Sequence, residues 1–230
     1  MQASQLFHLE EDHPFYSLFP LEEEPWRWIP RIKKVLENLE PRLPNHIPPG
    51  LHIEGPVRFE EGVTLPPYGS ITGPAWIGSH TELRAGVYIR GNLITGSHCV
   101  LGNSCEYKNS LLLDYVQTPH FNYVGDSILG NHSHLGAGAI LSNLRFDQRE
   151  IPIRTHRGTF STGLRKLGAI LGDYAEAGCN VVLQPGTILD RKSAVAPGLA
   201  YGGYLETDQI VFWKPSFHKI SRRNLERSRE

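Results

Sequence analysis

An excess of charge of either sign is missing from this chain of 230 residues: 23 lysines and arginines meet 24 aspartates and glutamates, leaving a formal net charge of −1. No strong net field exists to recruit nucleic acid or an anionic membrane, which sets both aside as partners. Cysteine is scarce. Cys99, Cys105 and Cys179 lack the spacing of a metal site, and their odd number favours a reducing compartment over a disulfide framework. No positively charged start leads into an apolar run, and no stretch approaches the ~20 apolar residues that span a bilayer. The expectation is a cytoplasmic protein with one domain and small terminal extensions.

What the chain has instead is a period. An aliphatic or semi-apolar residue returns every sixth position from Ile53 through Phe59, Leu65, Ile71, Ile77, Leu83, Ile89, Thr95, Leu101 and Tyr107 to Leu113. Four residues after each anchor stands a small or β-branched one, such as Val57, Val63, Gly69, Ala75, Thr81, Val87, Cys99 and Cys105. That period suits neither a helix nor a lone strand. It describes one flat face of a triangular coil, three faces to a turn, with turns stacked roughly 4.8 Å apart. The step resumes at Leu129, Leu135 and Leu141, and again from Leu171 through Ala177, Leu183 and Leu189 to Val195. Residues 51–204 are therefore expected to form an all-β parallel β-helix, with the cysteines as small core fillers.

The flanks differ. Residues 1–50 mix aromatics, prolines and acids, and Pro30 is expected to open a short helix with Ile32, Val35, Leu36 and Leu39 on one face, ended by Pro41 and Pro44. A striped helix must cover something, and a cap on the exposed first coil, or a neighbouring subunit, is the expectation. Residues 205–230 form a tail, aromatic at Phe212 and Trp213, then basic at Lys214, Arg222, Arg223, Arg227 and Arg229.

Function is sought where the repeat breaks. The step slips between Lys108 and Asp126, and a long excursion over 146–168 carries Arg149, Arg154, His156, Arg157, Arg165 and Lys166, a loop whose charge suits phosphate-bearing ligands. Three stretches, PHFNYVGDSILG at 119–130, LGAGAILSNLRFD at 135–147 and LGAILGDYAEAGCNVVLQPGTIL at 167–189, resemble the acetyltransferase domain of the bifunctional enzymes that make UDP-N-acetylglucosamine. The archaeal-type sugar-1-phosphate nucleotidylyltransferases with amino-sugar-1-phosphate acetyltransferase activity are the most similar in these runs.

That resemblance implies a left-handed coil, a homotrimer with active sites between subunits, and acetyl-CoA as co-substrate without a metal. It implies His120 as general base, Glu106 as the acid that orients it, and Asn143 beside the acetyl group and amine. Arg90, Lys108 and Tyr123 would grip the sugar phosphate, with His134 and Arg149 at two further substrate positions. Ala137, Cys179, Pro197 and Lys214 would contact acetyl-CoA. The chain departs from the family twice: His134 stands in place of an asparagine and Arg149 in place of a lysine, and arginine is not interchangeable with lysine at a bidentate site. The chemistry fits independently. A protonated sugar amine cannot attack a thioester until a base removes its proton, and histidine suits that task near neutral pH.

Residues 1–50 supply neither the length nor the glycine-rich phosphate loop of a nucleotidyltransferase domain. The expected activity is thus N-acetylation of an amino-sugar phosphate such as glucosamine-1-phosphate, with nucleotidyl transfer left to a separate protein. The alternatives are an acyltransferase for another amino sugar and, from a different class, a non-catalytic trimeric scaffold or regulatory partner of a separate nucleotidyltransferase.

Overall fold

The computed structural model describes residues 1–214; the basic positions from Arg222 onward lie outside them. The chain winds as a left-handed parallel β-helix of three flat faces, with eight, eight and seven strands, every neighbouring pair parallel. The first face runs from Gly50–Glu54 to Ala200–Tyr201, the second from Val57–Phe59 to Tyr204–Leu205, and the third from Glu82–Leu83 to Ile210–Val211. The last coil thus continues past the boundary expected at 204.

The six-residue period holds because each face presents the same inward positions in stacked columns. Ile53 pairs with Ile71 and Ile71 with Ile89 on the first face; Phe59 pairs with Ile77 on the second; Leu83 pairs with Leu101 on the third. These columns merge into one continuous buried core inside the prism, which includes Cys99 and Cys105 as small fillers; Cys179, expected among them, is exposed because it falls in the turn between Glu176–Ala177 and Val182–Leu183.

The expected slip is real, and it corrects one anchor. The upper coils advance eighteen residues, as from Tyr88 to Glu106, but the next two advance seventeen, from Glu106 to Tyr123 to Ile140. The missing residue is taken from the corner between the first and second faces. Gly91 and Asn92 both turn there with positive φ, whereas Asn109 alone, and then Asp126 alone, make the turn below. Because strand side chains alternate with a period of two, losing one residue exchanges inside for outside. Leu112, stacked between Thr95 and Leu129, therefore enters the prism, and Leu113 faces outward.

The N-terminal segment meets the first coil only through its last residues, where Arg42 bridges to Arg58 and Ile47 packs on the prism core, and its helix does not cap that end. Its helix spans Trp28–Leu36, two residues earlier than the proline suggested, because a 3₁₀ turn at Pro25–Arg27 already starts the winding. Leu6, Phe7, Phe15, Phe19, Trp28 and Ile32 pack against the outward side of the second face, where Ile94, Leu111, Leu113, Ile128, Ile170 and Ile188 form an apolar column. Phe7 stacks on Trp28 at 5.1 Å and Phe15 meets Trp76 edge-on at 5.4 Å. A face of isoleucines and leucines needs a cover along its whole length, and that need outweighs protection of one exposed end.

At the corner between the second and third faces, five rings stack in a line. His80, His98, Tyr115, His132 and Tyr174 lie at successive centroid separations of 4.9, 4.9, 4.6 and 4.7 Å, all with positive φ. The top ring lies over Gly62, where a built Cβ would come 2.2 Å from the His80 Nδ1. Left-handed backbone costs roughly 1–2 kcal/mol for a residue with a Cβ, and each stacked pair returns about 0.5–1.5 kcal/mol. Tyr115→Ala keeps the backbone strain and loses two stacking partners, so urea unfolding should show a loss of about 1–3 kcal/mol. Tyr115→Gly should recover about 1 kcal/mol of that loss by relieving the strain; a glycine variant less stable than the alanine one would refute the ladder's role.

Candidate active site

The two shortened corners build a polar cluster on the outer side of the first face. Arg90 and Lys108 end adjacent strands, Glu106 and Tyr123 pair across the next step, and Asn143 lies one coil below Asp126. Arg90 donates to the Glu106 carboxylate at 2.6 Å, and Lys108 Nζ stands 3.8 Å from Asp126 Oδ2. Asp126 is 4% exposed; it accepts from Asn109 Nδ2 at 2.7 Å and from Asn143 Nδ2 at 2.5 Å. Gly125 leaves the space these groups share, since a Cβ there would lie 2.6 Å from the Tyr123 hydroxyl and 2.9 Å from Asn143 Nδ2. Burial, reinforced by the carboxylates of Asp126 and Glu106, raises the Tyr123 pKa, so the phenol keeps its proton and remains a donor.

His120 sits one corner away. It ends the third-face strand Gln117–His120, exposed, just before Phe121 makes the turn with positive φ. Its backbone N–H donates to Asn122 Oδ1 at 3.3 Å, while Asn122 Nδ2 donates to the Gly136 carbonyl at 2.8 Å. Asn122 is 2% exposed and occupies an inward position where the period calls for a small apolar residue. It and Asp126 are the two residues that sequence reasoning passed over. The signal for Asn122 was present, a polar amide in a core register; Asp126 stood inside the quoted motif and at the end of the slipped stretch, with no role assigned to it.

The structure brings together Arg90, Glu106, Lys108, Tyr123 and Asn143 as expected. It does not join Glu106 to His120: the carboxylate lies on Arg90, and among the described residues no side chain hydrogen-bonds the His120 ring. His134 projects from the third face, paired in register with Gln117 and Glu176, and so stands on a different face from the cluster. Arg149 is exposed on the excursion, where its N–H donates to Asp147, and no described residue pairs with its guanidinium.

Three of the four residues expected at acetyl-CoA form a single column beneath His120. The Gly138 N–H donates to the His120 carbonyl, the Asn180 N–H to Ala137, and the Gly198 N–H, next to Pro197, to Cys179. Lys214 stands apart at the end of the described chain, its Nζ 5.6 Å from the Phe212 ring.

The excursion is only half a free loop. Ile151 and Ile153 bury themselves in the apolar layer on the second face, and the hairpin of Ile153–Thr155 and Gly158–Phe160 lies beside Trp26 and Tyr204. Its exposed Arg154 and Arg157 therefore flank the second face and not the polar cluster. The other half, around Leu144 and Phe146, walls an apolar groove of about 560 Å³ on the first face, floored by Val182 and Ala200. Among the described residues no three histidines, cysteines or acids converge in a metal-binding group.

The family described as the GMPPB C-terminal domain matches residues 71–197. The bifunctional protein GlmU of Methanococcus vannielii is 32% identical over 83% of this chain and 46% of its own length. The bifunctional sugar-1-phosphate nucleotidylyltransferase/acetyltransferase of Sulfurisphaera tokodaii is 33% identical over 76% of this chain and 44% of its own. The chain thus spans less than half the length of these relatives. Among solved structures, the polysialic acid O-acetyltransferase OatWY aligns with a TM-score of 0.30 and 12% identity, over 76% of this chain and 92% of that one, too loosely to carry weight.

The thiols report on this geometry. Burial pushes Cys99 up to about 12 and raises Cys105, while Cys179 is exposed. The thiolate is the reactive form, so at pH 8 one thiol per chain should react rapidly with an aromatic disulfide reagent and the other two only after unfolding. Three fast thiols would contradict the packed interior.

Proposed function

Because the chain belongs to the family described as the GMPPB C-terminal domain, whose match takes in more than half of it, we propose that it is an acetyl-CoA-dependent N-acetyltransferase acting on an amino-sugar phosphate, with glucosamine-1-phosphate as the acceptor. The observation that carries this reading is the cluster of Arg90, Lys108, Tyr123 and Asn143 on one face, one corner away from an exposed histidine. A relative whose name joins sugar-1-phosphate chemistry to acetyl transfer supports it.

In the proposed reaction the acceptor phosphate lies against Arg90 and Lys108, with Tyr123 donating its O–H. The sugar amine reacts as the free base, its extra proton released to solvent; as its nitrogen lone pair attacks the thioester carbonyl and the N–C bond forms, the His120 imidazole takes a proton from that nitrogen. Backbone N–H groups of the coil stabilise the oxyanion. The C–S bond then breaks, and the departing sulfur receives the proton that His120 carries. No acyl-enzyme is needed. The acetyl-CoA chain would run down the column of Ala137, Cys179 and Pro197.

A shared site between copies accounts for the split placement of the residues. The N-terminal segment covers the second face, which leaves the first and third faces open for packing against other copies. A closed threefold assembly would bring His134 on one subunit's third face toward the cluster on its neighbour's first face. The rival reading, a non-catalytic scaffold, draws on one specific observation: Glu106 is held by Arg90 and not by His120.

Three measurements decide. His120→Ala should lower acetyl transfer by ~10²–10⁴-fold in a thiol-release assay with glucosamine-1-phosphate. Acetyl-CoA should protect Cys179 from alkylation in both wild type and variant. Sedimentation should give a trimer of about 77 kDa, three times the 25.8 kDa chain. A folded trimer that transfers acetyl to no amino-sugar phosphate would favour the scaffold, and a monomer would end the shared-site arrangement.

A further inference from the structure

We propose that Asp126 is a positioning residue that fixes which end of the Asn143 carboxamide meets the acceptor, and so commits the site to a ligand group that donates a hydrogen bond. The inference rests on the acetyltransferase reading above. A carboxylate can only accept, so the contact at 2.5 Å forces the Asn143 amino group to point inward at Asp126. The Tyr123 hydroxyl and the Asn143 amino group both border the space over Gly125, where a Cβ would lie 2.6 Å from the one and 2.9 Å from the other. With its amino group turned in to Asp126, Asn143 leaves its carbonyl oxygen at the other end of the carboxamide as an acceptor. A sugar amine or hydroxyl satisfies that oxygen; an ether or ester oxygen at the same place would repel it.

The remaining contacts of Asp126 keep it in place. Asn109 holds Oδ1 at 2.7 Å from the coil above, Lys108 stands 3.8 Å from Oδ2, and the backbone N–H of Asp126 donates to the Lys108 carbonyl at 2.9 Å. With 4% exposure the carboxylate meets no competing water donor of any consequence. The same residue thus orients Asn143 and aims Lys108. Its position in the shortened corner is what allows both, since the corner places Lys108, Asp126 and Asn143 on three successive coils.

Asp126→Asn separates orientation from structure because asparagine has the same shape and can rebuild a ladder of three amides with Asn109 and Asn143. It can, however, offer either its oxygen or its amino group to Asn143, so the outward group ceases to be fixed. The folded variant should keep its unfolding midpoint and its KM for acetyl-CoA, while KM for glucosamine-1-phosphate rises on the order of tenfold to a hundredfold, the worth of a charge-assisted hydrogen bond. In nitrogen-15 spectra the Asn143 side-chain amide should give two sharp, well-separated proton resonances in wild type and broadened ones in the variant. Unchanged acceptor KM in an active variant, or identical Asn143 resonances, would overturn the proposal; so would an equal loss toward both substrates together with a lowered midpoint. Absence of acetyl transfer by wild type would instead defeat the functional reading, and the resonances would still decide whether Asp126 fixes Asn143.

Discussion

The inward columns of the prism cannot change length, and the rest of the molecule is arranged around that constraint. Each inward residue must stack on its counterpart one coil away, so a coil that loses a residue has to lose it at a corner. Here the loss occurs at one corner twice, at Asn109 and at Asp126. Below them, at Asn143, the chain leaves the coil altogether and returns at Leu167, whose N–H donates to the Asn143 carbonyl. Two shortened turns and one exit, stacked vertically, give a column of polar side chains joined by Asn109, Asp126 and Asn143. A regular coil places glycine or asparagine at such corners to turn the chain; this one places the groups that the proposed chemistry uses.

The charges in the cluster have unequal standing. Arg90 and Glu106 form a half-exposed pair of the kind that contributes about 0–1 kcal/mol to stability. Its effect is on geometry, because it holds the guanidinium over the strand end and occupies the Glu106 carboxylate. Asp126 is different. It is buried with Asn109 and Asn143 as its hydrogen-bond partners, and replacing it by an apolar residue would leave two amide groups without acceptors, at a cost of about 1–3 kcal/mol for each group left unsatisfied. The cluster as a whole carries two cations against two anions. A neutral set of paired charges suits a ligand that itself bears both signs, as an ammonium sugar phosphate does, better than it suits a bare polyanion.

The period of six made the coils legible from Ile53 to Tyr107 because large inward residues are read directly as composition at fixed spacing. It failed at Leu113 because one missing residue exchanges inside and outside without altering the apolar run Leu111-Leu112-Leu113, in which every residue is buried, two of them outside the prism. The helix at Trp28–Leu36 was visible in its stripe, but its target was not, because the outward isoleucines of the second face look the same in sequence as those of a strand edge. Within the site, Arg90, Lys108, Tyr123 and Asn143 could be named from the resemblance, and they converge. Glu106 was assigned to His120 although the strand register places it diagonal to Arg90, a relation that exists only once the coils are stacked.

Covering one face of a three-faced prism has a consequence for the other two. The N-terminal segment and the folded half of the excursion bury the second face from Trp76 to Tyr204, which leaves the first and third faces and the corner between them without that cover. That corner carries His120 and the 60%-exposed Phe121. His134 and the Glu106 cluster lie on opposite sides of it, on the third and first faces. The apolar groove walled by Leu144 and Phe146 opens on the same first face. The same excursion therefore shields one face and shapes another. If the assembly forms, the acceptor site and the acetyl-CoA column would be separated by a single corner, with the residues of two subunits closing around the amine that has to lose its proton.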